Sequence, residues 1–262
     1  MRGLYAIYRK EMTHYFVSPI AYVIACVFLV LSGVFFNSYL VEVITYANRL
    51  MMQGMQTGEM SNFDVPSVML RVFLGTIGIV ILFLTPMLTM GVYSEERKRG
   101  TMELLMTSPI SEAGIVLGKF LASFTLLVIM LIPTVCYVIY MFAHSTPAPP
   151  WRLIAGGYLG VLLLGAMLLA LGSFLSSLTE NQIISAVLIF GVSLLLWLLN
   201  IFAESGSGPL AQSLQYAAVL QHYGPFTQGL IDTTGLIFFG TWIFFGIFLT
   251  MRSVESMRWR RA

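Results

Sequence analysis

Six runs of this chain are long enough and apolar enough to decide its solvent. They cover about residues 19–40, 67–93, 113–142, 153–176, 182–203 and 229–251. A helix needs roughly 20 mainly apolar residues to cross a bilayer. The expected fold class is therefore an all-α membrane protein with six transmembrane helices. Composition supports this. The 262 residues are 58% hydrophobic and only 10% charged, whereas soluble domains carry about a quarter charged residues. A soluble fold could not cover its surface with so few charges. The second and third runs exceed the need of a bilayer, so they are expected to tilt or to extend beyond it. Pro86 and Pro133 lie inside them and are expected to kink them. Cys26 and Cys136 fall within apolar runs and read as small buried hydrophobes, not as a disulfide or metal pair.

The cations set the orientation. Arg2, Arg9 and Lys10 precede the first run, Arg97, Lys98, Arg99 and Lys119 flank the link between the second and third, and Arg252, Arg258, Arg260 and Arg261 follow the last. All fall on one side if both termini are cytoplasmic. Only Arg49, Arg71 and Arg152 fall at the other face.

Residues 1–16 form a unit of their own, and 17–262 the transmembrane domain. At helical spacing Leu4, Ile7, Tyr8, Met12 and Tyr15 share one face, with Glu11 intruding, and Arg2, Arg9, Lys10 and Thr13 share the other. An amphipathic helix of this kind lies in the membrane interface, apolar side down. No cleavable signal peptide is evident. Residues 41–66 read as a polar outer loop rich in methionine (Met51, Met52, Met55, Met60), 143–151 as a proline-stiffened link, and 204–228 as a breaker followed by a short amphipathic stretch that returns to the membrane surface. Small residues (Gly75, Gly78, Gly114, Gly118, Gly156, Gly157, Gly160, Gly165) let helix backbones approach closely.

Enzyme signatures are absent: there is no H-E-x-x-H and no G-x-S-x-G. "GIVLGKF" at 114–120 is one residue too short for a phosphate loop and lacks a hydroxyl after Lys119. His14, His144 and His222 lie in separate segments with no metal-ligand spacing. The methionines suit an adaptable packing surface better than a soft-metal site. Arg71 is expected to snorkel or to pair with an acid such as Asp64. A net charge of +2 argues against nucleic acid as a partner.

One short segment does not fit a plain membrane anchor. In "EERKRGTMELLMTSPIS", residues 95–111, the densest charge cluster in the chain is followed at once by Leu104, Leu105 and Met106. Gly100 breaks the helix leaving the second span. Thr101 can serve as N-cap, and Glu103 in the first turn suits the helix dipole. A short helix over Met102–Met106 follows, stopped by Thr107, Ser108 and Pro109, with Ser111 or Ser108 capping the third span. Either its leucines lie flat in lipid or part of this apolar surface docks into a groove on a soluble partner. The elongated, proline-bearing spans on both sides suit the second.

The same segment with "GIVLGKFLA" at 114–122 resembles the link between spans two and three in ABC-2 type transporter permeases. So do "SSLTENQIISAVLIFGV" at 176–192, "RKEMTHYFVSPIAYV" at 9–23 and the last span with its flanks, 229–255. The likeness runs over most of the chain and leans toward permeases associated with gliding-motility systems. It implies a half-transporter, an exporter in the bacterial inner membrane, with residues 1–16 as an interfacial elbow helix and 204–228 as outer re-entrant helices. It implies a cytosolic coupling helix around Thr101–Ser108 that sits in a cleft of a separate ABC ATPase subunit. The implied contact set is Glu96, Gly100, Thr101, Glu103, Leu104, Leu105, Met106, Ser108 and Pro109, with Thr179, Glu180 and Asn181 as a second contact. ATP and magnesium would be held by that partner, leaving this chain without a cofactor. A second permease copy or a different permease, and an extracytoplasmic auxiliary subunit, complete the implied partners. A scaffold that passes ATP-driven movement to an outer partner is the alternative.

Overall fold

The computed structural model describes residues 2–57, 64–107, 110–145, 148–205 and 216–259. Among these, every regular element is helical. In chain order they are α1 (Arg2–Val17), α2 (Pro19–Thr57), α3 (Val65–Thr89), α4 (Ser94–Lys98), α5 (Thr101–Thr107), α6 (Glu112–Leu131), α7 (Val135–His144), α8 (Trp151–Leu178), α9 (Gln182–Ser205), α10 (Val219–Thr227) and α11 (Thr233–Trp259). Six helical stretches among the described residues are long and apolar enough to cross a membrane.

The boundaries differ from the hydropathy runs in informative ways. The first spanning helix does not stop near residue 40 but continues to Thr57. At 1.5 Å per residue its 39 residues reach about 58 Å, roughly twice the hydrocarbon thickness. Most of the polar stretch expected as a loop is thus helix, with Met51, Met52 and Met55 exposed along it; Met60 lies outside the described residues. The two prolines behave differently. Pro86 sits inside an uninterrupted α3, and its carbonyl accepts from Met90 N. Pro133 falls in a single 3₁₀ turn, Ile132–Thr134, that divides the third span into α6 and α7. Asp64 caps α3, its Oδ1 accepting from Ser67 N at 3.2 Å. Both cysteines are exposed on the protein surface rather than buried; on a spanning helix that places them toward lipid.

α8 is the hub. It is the most buried span, 72% against 22–28% for the first, fifth and sixth. Glycine makes this possible. A Cβ at Gly157, Gly165 or Gly172 would collide with Leu74, Leu127 or Thr89, respectively. Neighbouring helices therefore reach the α8 backbone itself, where dispersion contacts replace the hydrophobic drive that lipid does not supply. Gly118 does the same for α1, whose Ile7 side chain would meet its Cβ at 2.9 Å. Gly75, by contrast, faces open space.

We predict that Gly165→Leu lowers the stability of the detergent-solubilised protein by about 1–3 kcal/mol or more, the usual cost of overpacking, while Gly75→Ala is neutral. Thermal unfolding followed by size-exclusion chromatography decides it; equal midpoints for the two variants would remove α8 from its place as hub.

Candidate functional site

One end of the bundle collects most of the charge. There α1, α4, α5, the α8–α9 turn and the end of α11 converge on the start of α6. Three local features of the chain build this end.

The first is a break after α3. The helix leaves α geometry at residues 90–93 and restarts as α4. A restarting helix exposes N–H groups without partners. Ser176 of α8 supplies them: its Oγ accepts from Tyr93 N at 3.2 Å and Ser94 N at 3.3 Å, and donates to Met90 O at 3.0 Å. One hydroxyl from the hub thus fixes the angle at which α4 departs.

The second is a buried ion cluster. Lys119 lies on α6 and is 2% exposed. Its Nζ meets Glu11 Oε1 of α1 at 2.9 Å, Glu96 Oε2 of α4 at 3.0 Å and the Val92 carbonyl at 2.9 Å. The Tyr93 ring lies under it, 5.4 Å from its centroid. Lys10 closes the cluster from the rim, 2.7 Å from Glu96 Oε1. Partial burial pulls the Lys10 ammonium down, but the Glu96 and Glu11 carboxylates outweigh it and hold it above its ordinary range. Around the same helix, Tyr15 and Ser123 share a hydrogen bond at 2.8 Å, and Tyr8 donates to Thr125 at 3.2 Å. α1 is therefore docked on α6 by specific polar contacts, and the intruding Glu11 is its anchor.

The third is the short helix α5. Gly100 turns the chain with φ +71°, a conformation that favours glycine. α5 then spans Thr101–Thr107, one residue longer at each end than the sequence suggests. Thr101 begins the helix rather than capping it, and its hydroxyl donates back to the Glu96 carbonyl at 3.3 Å. Met102 is the buried residue, packed with Val92, Tyr93, Val116 and Val254 in a small separate core. Leu105 and Met106 are half-buried against that core, whereas Leu104 is 72% exposed. The three apolar residues thus divide: two seal the helix to the protein and one stands out. Glu103 is exposed in the first turn. Ser108 and Pro109 lie outside the described residues. Ser111 caps α6 by accepting from Gly114 N at 3.2 Å.

The α8–α9 turn stands beside α5. Arg97 of α4 donates to the Ser177 carbonyl at 2.7 Å and pairs with Glu180 at 2.9 Å, so the two segments singled out in the sequence are joined by one guanidinium. Thr179 and Asn181 do local work there: Thr179 Oγ1 accepts from Asn181 N at 3.1 Å, and Asn181 Oδ1 accepts from Ile183 N at 2.9 Å, capping α9. A groove of about 400 Å3 runs between α5, this turn and α11, with Met102, Met106 and Met257 in its lining.

Lys119, Glu11, Ser176, Arg97 and Met102 were not legible as site residues. One signal was present for the first two: a lone carboxylate on the apolar face of α1 and a lone ammonium inside an apolar helix each require a partner. Among the described residues no group of three or more His, Cys, Asp or Glu is placed to hold a metal ion.

A helical bundle with six membrane-crossing stretches, an extra helix docked at one end and a short, partly exposed helix between spans two and three has the build of a transporter's membrane subunit. The family described as "ABC-2 family transporter protein" matches residues 5–249, and the chain belongs to it. It is a multi-pass membrane protein and a permease component. None of the curated proteins matches it.

We predict that Lys119→Met is severely destabilising, by about 3–5 kcal/mol, because it removes the buried cation between two carboxylates and leaves the rim Lys10 alone to balance both. Lys119→Met combined with Glu11→Gln and Glu96→Gln should recover much of that loss. If the single variant unfolds at the wild-type midpoint, the cluster is not what holds α1, α4 and α6 together.

Proposed function

We propose that this chain is one half of an ATP-driven exporter in a bacterial inner membrane, with its charged end in the cytosol and α5 as the docking element for a separate ABC ATPase subunit. The observation that carries this is the division of α5: one face is anchored through Met102, and Leu104 stands 72% exposed at the end of the protein richest in Lys and Arg. The cation bias gives the orientation, and membership of the ABC-2 family supports a nucleotide-driven partner. ATP and magnesium belong on that partner.

In this reading two ATPase subunits close on ATP and displace α5. The Arg97–Glu180 pair and the Ser176 contacts pass the displacement to α8 and α9. The Lys119 cluster passes it to α1 and α6. Two permease halves, identical or different, enclose the path. The first, fifth and sixth spans, only 22–28% buried in the chain, supply apolar surface for that pairing and for lipid. The contact set is then Gly100, Thr101, Glu103 and Leu104 with Glu180, while Glu96, Leu105, Met106, Thr179 and Asn181 serve to hold the element in place.

A second reading has one observation in its favour. α2 continues well past the bilayer thickness and carries exposed methionines, which suits a subunit that passes movement to an extracytoplasmic partner and transports nothing. Substrate-stimulated ATP hydrolysis by the complex in liposomes separates the two.

Leu104→Asp removes about 1.5–3 kcal/mol of apolar burial from the docked state, a tenfold or greater weakening. We expect the ATPase to be lost from the affinity-purified complex while the variant inserts into the membrane at the wild-type level. An ATPase retained at wild-type stoichiometry would show that α5 is not the docking element.

A further inference from the structure

Between α1, the start of α2 and the α3–α4 break lies a cleft of about 280 Å3, at the lower end of the volumes typical of small-molecule sites. Its two ends differ in chemistry. Deep within, Ala21 and Ile24 of α2 and Leu88 of α3 form an apolar slot. At the mouth and floor stand three cations, Lys10, Arg99 and Lys119, and three carboxylates, Glu11, Glu95 and Glu96, with His14 beside them. The slot opens past Ile20 and Met87, 53% and 46% exposed, where the apolar spans meet the charged end. It therefore straddles the level at which acyl chains give way to headgroups.

We propose that this cleft binds a zwitterionic glycerophospholipid with a primary ammonium, one acyl chain in the slot and the headgroup at the rim. The cleft is smaller than a whole acyl chain, so the slot takes the part of one chain next to the headgroup and leaves the rest, with the second chain, in the bilayer. The charge pattern selects the headgroup. Lys119 is consumed by Glu11 and Glu96 in the floor. At the rim stand Lys10, 55% exposed and paired on one side with Glu96, and the Arg99–Glu95 pair, 66% and 32% exposed. Arg99 and Lys10 can donate to a phosphate and Glu95 can accept from an ammonium. Because every cation is matched by a carboxylate, the mouth offers no net positive field for an anionic lipid. A lipid here would wedge α1 and α2 against α4. Its binding depends on the membrane placement of the bundle and not on any ATPase partner, so either proposal can fail alone.

The test uses the purified full chain, delipidated in mild detergent, with bound lipid counted by native mass spectrometry. Phosphatidylethanolamine should bind about tenfold tighter than phosphatidylglycerol of the same acyl chains. Ala21→Phe, which fills the slot, should abolish phosphatidylethanolamine binding. Glu95→Gln, at the exposed rim, should erase the headgroup preference while the unfolding midpoint stays unchanged. Equal binding of the two lipids by the wild type overturns the proposal, as does undiminished phosphatidylethanolamine binding by Ala21→Phe or an unchanged headgroup preference in Glu95→Gln. Displacement of the lipid by free phosphoethanolamine at similar concentration would mark the site as one for a soluble ligand and overturn it too.

Discussion

The Lys119 ammonium is the point on which the charged end of this protein depends. Desolvating a lone cation costs several kcal/mol, and α6 on its own offers nothing to offset that. The cost is met only when Glu11 arrives from α1 and Glu96 from α4. Three segments far apart in sequence are thereby obliged to assemble together. Removing any one weakens the charge balance of the other two, so the helix at the N-terminus, the break after α3 and the entry to the third span are tied together by one cluster. This makes α1 a structural member of the bundle as well as an amphipathic collar.

The transmembrane part is held by different physics. Lipid is as apolar as leucine, so burial of side chains does not by itself draw helices together. α8 meets this by presenting backbone: Leu74, Leu127 and Thr89 occupy the space that side chains at Gly157, Gly165 and Gly172 would fill. Several hydroxyls inside the bundle are satisfied locally, as where those of Thr85 and Thr89 donate to carbonyls one turn back. Ser176 is where the two systems meet, since it belongs to α8 and yet fixes the start of α4.

Much of the fold was legible from hydropathy alone, because a bilayer imposes a length on apolar runs that no other solvent does. The extension of α2 was not. Asn48, Arg49 and Gln53 read as loop on a hydropathy scale, yet none of them breaks a helix, and polarity says only that the helix has left the lipid. The short helix between spans two and three was legible through Gly100 and the abrupt apolar triplet. Which of its residues faced inward was not, because Met102, the anchor, is set by Val116 and Val254 from distant helices. Lys119 read as an orientation signal. Its real partners lie more than a hundred residues away on α1 and beyond α5 on α4, and pairing of that kind is decided by docking, not by local pattern.

The contrast between the two systems bears on how movement passes through such a protein. α3 and α8 form a close-packed slab that transmits displacement as a rigid body, since packed interiors deform little. α5 is tied to that slab through its neighbours: α4, whose Arg97 reaches Glu180 and Ser177, and the Met102 core shared with the α3–α4 break, α6 and α11. The first, fifth and sixth spans leave most of their own surface uncovered within the chain, yet the sixth is seated on α8, where a Cβ at Gly246 would meet the Ala170 backbone at 2.9 Å. In the function proposed above, a push on α5 therefore reaches α8 first, by way of Arg97 and the α8–α9 turn, and from α8 it passes to the α3 and α11 helices packed on its backbone.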